Sequence, residues 1–366
     1  MYWLYRAGFA FIVSLPACLL AQQGAVPAEQ APAAQEPALA ERPAPLPNHA
    51  VGRIRLDVVV TDKSGKPVSG LEREDFTLLD DKQPAKILSF HAYNPTTPPK
   101  DLPPEIILMF DTVNIGDRYV VTVRQAIEKF LRQNDGHLAQ PVAVLLMTNL
   151  GVTLAAQPSL DGNALATTVE QLQPRLRTIG PAQGAWGDLD RFQFSTKSLD
   201  SIVEPAAHVA GKKLLVWLGP GWPMLDGPGF EFSPHAKEAN FDAIVRFSTL
   251  IREARMSLYS VTEGTGDIHS TDYQSYVKGA KQAKQADPAY LSLRVMAAQS
   301  GGHVLGPDND LVAQINHSVA DATAFYTISF DPPRADRPNE YHDLKVQIGK
   351  PGLTARTNTG YYNQPQ

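Results

Sequence analysis

A single cysteine, Cys18, stands in this chain, close to its start. The remaining residues therefore fold with no disulfide and no thiol nucleophile. Charge is sparse and nearly balanced, 33 Lys and Arg against 38 Asp and Glu, for a net charge of −5. Nothing in that balance favours nucleic acid as a partner. The apolar run Ala7–Ala21 is too short for a comfortable membrane span and is interrupted by Pro16. No Gly-x-Ser-x-Gly elbow occurs, and Gly219-Pro220-Gly221 lacks the Lys-Ser/Thr of a phosphate loop. No grouping supplies nucleophile, base and oxyanion donor together, so no catalytic residue and no enzyme activity are expected. What the chain does have is 43% hydrophobic residues, enough for a real core.

Residues 1–21 read as a secretory signal, with Arg6 ahead of the apolar run and cleavage expected after Ala21. Leu15-Pro16-Ala17-Cys18 loosely resembles a bacterial lipoprotein box in which Pro16 fits poorly. Cys18 is thus either lipidated, which would give a membrane contact, or removed with the signal. Residues 22–49 are rich in Ala, Pro, Gln and Glu without apolar periodicity. Such a segment cannot bury enough surface to offset its ordering entropy and reads as a disordered linker. Signal and stalk together predict an extracytoplasmic protein: periplasmic, secreted or associated with the cell envelope.

Around Glu105–Asn114 the chain reads EIILMFDTVN. Five apolar residues ending on Asp111 predict a strand buried on both faces, as in a parallel sheet flanked by helices. From there strand and helix alternate. Tyr119–Leu131 is helical, Pro141–Thr148 a second buried strand and Val152–Ala156 an antiparallel edge strand. Leu160–Leu172 is a helix capped by Ser159 or Asp161, 174–194 a loop, and Ser195–Ala210 a helix. Lys213–Leu218 and Ser257–Thr262 are further strands. The fold class is α/β, with a mostly parallel sheet wrapped by helices over 103–322. Ahead of it, Ile54, Leu56, Val58 and Val60 alternate as a half-buried strand, and Ala85–Ala92 reads as another. Strands over Ala324–Phe330, Tyr341–Ile348 and Leu353–Thr357 close the chain. Residues 50–98 and 323–363 should combine into one small β-sandwich, because 50–98 is too small to stand alone.

The wording VVVTDKSGKPVSGLEREDFTLLDDKQPAKILSF resembles the opening of a von Willebrand factor A-related family of the acidobacterial type. GKKLLVWLGPGWP, AAQSGGHV, FYTISFDPP and GYY continue that resemblance in order over Val51–Tyr362. It implies a von Willebrand A-like, Rossmann-like domain used extracytoplasmically for binding. In such domains the first strand typically ends in Asp-x-Ser-x-Ser, which with a threonine and an aspartate from other loops holds a magnesium-type ion through oxygen ligands. Here Asp111 matches, but Val113 and Ile115 replace the hydroxyls, and Leu218-Gly219-Pro220-Gly221 replaces the later Thr-Asp-Gly. The expectation is a degenerate metal-ion-dependent adhesion site with no cofactor. Asp111, Asn114, Asp117 and Thr196 are the residues left to hold Mg2+ in a rearranged set. Otherwise Asp111 caps its own loop or the following helix.

These observations favour an exported non-catalytic module for protein–protein interaction or adhesion, with an unknown partner in the cell envelope. Trp186, Trp222 and Phe230 are the candidate partner-binding anchors. Two other readings remain: a metal-assisted hydrolase using Glu263, Asp267, His269 and Asp272, or a structural component of an envelope assembly. His208, His303, His317 and His342 stand singly and read as surface or capping residues.

Overall fold

The computed structural model describes residues 52–93, 102–172, 184–225, 232–261, 268–306 and 310–365. The signal and linker expected over 1–49 lie outside them, as do Phe230, Glu263 and Asp267.

The N-terminal strands are β1 (Ile54–Thr61), β2 (Phe76–Asp80), β3 (Gln83–Ala85) and β4 (Ser89–Tyr93). The α/β region follows with β5 (Glu105–Asp111), α1 (Asp117–Leu131), β6 (His137–Thr148), β7 (Gly151–Asp161) and α2 (Gly162–Glu170). Next come α3 (Gly184–Ala207), β8 (Lys213–Leu218), α4 (Pro234–Glu253) and β9 (Met256–Val261). It ends with α5 (Thr271–Val277), α6 (Leu293–Gln299), β10 (Val304–Leu305) and α7 (Leu311–Ala320). The chain closes with β11 (Phe325–Phe330), β12 (Glu340–Ile348), β13 (Thr354–Arg356) and β14 (Gly360–Asn363).

Two four-stranded sheets, ordered β13-β1-β11-β4 and β14-β12-β2-β3, form the sandwich. Its strands come from both ends of the described chain: β1 pairs antiparallel with β11, and β2 with β12. Ile54, Leu56, Val58 and Val60 all face the core between the sheets, with Tyr326, Ile328, Phe330 and Val346. The stretch read as one strand over Ala85–Ala92 is in fact split. β3 pairs with β2 in one sheet and β4 with β11 in the other, with buried Ile87 between them.

The central sheet has the order β10-β9-β8-β5-β6-β7. Renumbered from its own first strand this is 3-2-1-4-5-6, the doubly wound order. All pairings are parallel except β6 with β7, so the expected antiparallel edge strand is present. Alternate residues of β5 point to opposite faces. Ile106, Leu108 and Phe110 pack with α1, α2 and α7, while Ile107 and Met109 pack with α3, α4 and α6. Of the two proposed caps for α2, Asp161 does the work, accepting the N–H of Ala164. The loop expected over 174–194 is corrected in its second part: residues from 184 on belong to α3, whose Leu189 and Phe192 are buried against the sheet.

Candidate functional site

In open sheets of this order, ligands bind beyond the carboxyl ends of the strands, where strand order reverses. Here that point lies between β5 and β8, and Asp111 stands on it as the last residue of β5. The side chain is completely buried. Its Oδ1 accepts backbone N–H groups from Val113 (2.9 Å) and Asn114 (3.0 Å). Its Oδ2 accepts from the Asn114 side-chain amide (2.8 Å) and from the Trp217 indole Nε1–H (2.8 Å). Burial pushes the carboxyl above its ordinary range, and the hydrogen bonds from Asn114, Trp217 and Val113 pull it back. All four partners are N–H donors, so the pocket is built around the anion.

Trp217 reaches the acid because of strand periodicity. Met109 and Trp217 are register partners on the face that also carries Asp111, two residues beyond Met109. The indole N–H therefore meets the acid at the switch point while its ring stays fully buried. Trp222 packs edge-on against it at 5.3 Å and donates its own N–H to the Leu291 carbonyl (2.8 Å). From the other side, the Asn114 amide also donates to Ser195 Oγ (3.0 Å), a fully buried hydroxyl on α3. Asn114 Oδ1 is buried without a partner. Asp111 thus ties together its own loop, α3 and β8.

Among the described residues, the predicted ligands are not gathered around an ion. Both oxygens of Asp111 are already engaged. Val113 is turned into the α3/α4 side of the core and Ile115 into the α1/α7 side. Thr196 Oγ1 bonds back to the Phe192 and Gln193 carbonyls of its own helix. It is Ser195, not Thr196, that reaches Asn114. Gly219 follows Trp217-Leu218 with φ +146°, and a Cβ there would meet Ile115 at 3.1 Å and Asp111 Cβ at 3.4 Å. An aspartate there would be strained by the positive φ and would press on Ile115. The side chains of Asp117, the first residue of α1, and of Trp186 in α3 lie outside the described residues, and Phe230 does so entirely.

Trp222 was expected to face a partner. It is 3% exposed and its ring belongs to the core, because apolar contact and a carbonyl acceptor are both found inside. Sequence reading missed Trp217 and Ser195. A signal for the first was present: a tryptophan in the otherwise aliphatic strand KLLVWL needs a buried acceptor for its N–H. Also missed was Leu150, in the turn between β6 and β7 on this same rim, which is 86% exposed. Of the proposed hydrolase loop, Asp272 lies in the first turn of α5, behind the Ser270 cap. The histidines differ from expectation too. His342 is buried in the sandwich beside Asp80, and His303 is half-buried.

No family model and no curated protein matches the sequence. Solved structures to which the chain is similar include the human COPII-coat protein Sec24c, at 11% identity and TM-score 0.33 over 73% of this chain and 44% of that one. The SpRpn10 VWA domain aligns at 11% identity and TM-score 0.29, over 60% of this chain and 96% of that one. The pilus adhesin SpaC from Lactobacillus rhamnosus GG aligns at 13% and 0.32, over 82% and 43%. The chain spans less than half the length of Sec24c and of SpaC. Its fold stands on its own sheet: six strands in doubly wound order, a reversed edge strand and helices on both faces, with an acid closing the first strand. That architecture is a von Willebrand A-like α/β fold carrying a β-sandwich built from the strands on either side of it.

Proposed function

We propose that this protein is an exported, non-catalytic interaction module of the acidobacterial von Willebrand A-related type, which binds a protein partner in the cell envelope without using an ion at Asp111. One observation carries the reading: the carboxylate that would hold the ion accepts four N–H donors, one of them the Trp217 indole. In this reading the hydrogen bonds at Asp111 serve to hold the rim in place, not to bind an ion. The rim around it remains for recognition, and Leu150 is the apolar residue most exposed on it among the described residues. This reading makes that exposed leucine, at the tip of the β6–β7 hairpin, a contact with the partner.

The test is binding to partner captured from envelope extract, with and without EDTA, by the wild type and by Leu150→Asp. Binding that persists in EDTA and falls about tenfold or more in Leu150→Asp, with stability unchanged, supports the reading. Binding lost in EDTA and restored by Mg2+ overturns it.

A further inference from the structure

The sandwich holds a second grouping of acids, remote in the fold from the rim of the central sheet. Asp80 ends β2, Asp81 opens the turn into β3, and His342 lies on β12. Successive strand residues normally point to opposite faces. Here Asp81 and Lys82 adopt left-handed conformations, φ 45° and 68°, and the tight turn brings both carboxylates to one side. Asp80 Oδ1 lies 2.9 Å and Asp81 Oδ2 3.3 Å from the same atom, His342 Nδ1. One ligand atom from each of the three lies within 4.8 Å of the others, the only such grouping among the described residues.

The set is held in place by its neighbours. Asp80 Oδ2 accepts the Tyr361 hydroxyl (2.6 Å), and Asp81 Oδ1 accepts the Asp343 N–H (3.0 Å). The imidazole stacks on the Tyr361 ring at 4.9 Å and 19°. Outer contacts of this kind orient metal ligands. His342 is 7% exposed, and its Nε2 is buried with no partner. The ring's polar contacts are therefore spent on the two acids alone. Among the described residues no lysine or arginine forms an ion pair with either acid. Two carboxylates converge on one imidazole, an excess of negative charge that a divalent cation held between them would offset. All three residues line a groove of about 520 Å³, through which an ion would enter and water would complete its shell.

We infer that Asp80, Asp81 and His342 form a binding site for a divalent ion of the zinc type, which clips the N-terminal hairpin to the C-terminal strand. The imidazole nitrogen with two carboxylate oxygens suits Zn2+ and disfavours Mg2+, which prefers oxygen ligands alone. The ligands lie 262 positions apart, so the ion would close the sandwich across the whole α/β region.

The full chain, stripped with EDTA and dialysed, should bind one equivalent of Zn2+ by calorimetry and melt at a higher temperature with Zn2+ than without. Co2+ in its place should give visible absorption bands of a low-symmetry site. His342→Gln should abolish binding. Because that residue is buried, the deciding variant is Asp81→Asn, at an exposed position that leaves the Asp80–His342–Tyr361 contacts intact. It should weaken Zn2+ about tenfold or more, by analogy with the loss of metal-site contacts generally. No zinc uptake by the wild type at millimolar zinc overturns the inference. So does unchanged affinity in Asp81→Asn, or Mg2+ binding as tightly as Zn2+.

Discussion

Neutralising Asp111 separates an anchor from an ion ligand by the sign of the stability change. Asp111→Asn keeps the shape of the side chain and leaves Oδ1 to accept from Val113 and Asn114. The new amide N–H2 would face two donors, the Asn114 amide and the Trp217 indole. Asn114 can turn its amide over, so that its unpartnered Oδ1 accepts from the new group. Trp217, held on β8, has no such freedom. One buried donor is then orphaned, at about 1–3 kcal/mol, and the remaining bonds lose their charge assistance, at about 1 kcal/mol each. Relief of the desolvated charge, which pushes the carboxyl up in the native protein, offsets part of this. The net expectation is a loss of about 2–4 kcal/mol, a large share of the roughly 5–15 kcal/mol typical of a domain. Urea unfolding in EDTA measures it as a lower midpoint at unchanged slope. Trp217→Phe removes the same bond from the other side, and the double variant should cost less than the sum of the two singles by about 1–3 kcal/mol. If Asp111 were an ion ligand waiting without its ion, removing its charge would relieve strain. A midpoint in Asp111→Asn equal to or above the wild type would therefore refute the anchor role.

Other consequences are measurable. Leu150→Asp, at a residue exposed in a turn, should change stability by no more than about 0.5 kcal/mol in a urea titration, whatever it does to partner binding. Arg255 clasps Asp57 with two bonds (3.0 and 2.7 Å) and reaches Thr327 (3.1 Å), tying the end of α4 to β1 and β11. Arg255→Met leaves the nearly buried Asp57 with only the Thr327 hydroxyl (2.8 Å), and should cost about 3–5 kcal/mol by the same titration. Burial first, then the Arg356 guanidinium, hold His303 down from 6.5 to about 4. The unfolded chain takes up that proton below pH 6.5 and the folded chain only near pH 4. The contribution of His303 is thus complete above pH 6.5 and lost on acidification through pH 4, about 3 kcal/mol in all. Stability measured against pH should lose that much less over this window in His303→Phe than in the wild type.

Local pattern carried much of the architecture. The strict alternation of Ile54 to Val60 placed β1 with one face in the core, and the uninterrupted run before Asp111 placed β5 at the centre of the sheet. The glycine-bearing turn after Thr148 and the short alternating segment beyond it placed the reversed edge strand. Valine and isoleucine where hydroxyls would ligate already told against an ion at Asp111, since an apolar side chain cannot coordinate one. Periodicity reports which way a side chain points. It does not report what meets it there.

Tertiary structure decided the rest. The indole that donates to Asp111 comes from 106 positions along the chain, and the imidazole between Asp80 and Asp81 from 262. Such pairs are set by strand register and order within a sheet, which no local window of residues encodes. Ala85–Ala92 looked like one strand because no Gly, Pro, Asn or Asp interrupts it, yet backbone pairing with β2 at one end and β11 at the other divides it between sheets. Trp222 and His342 looked available for the same reason. A polar tip on a large ring is compatible with surface or core, and only the presence of a buried acceptor at the right distance determines which.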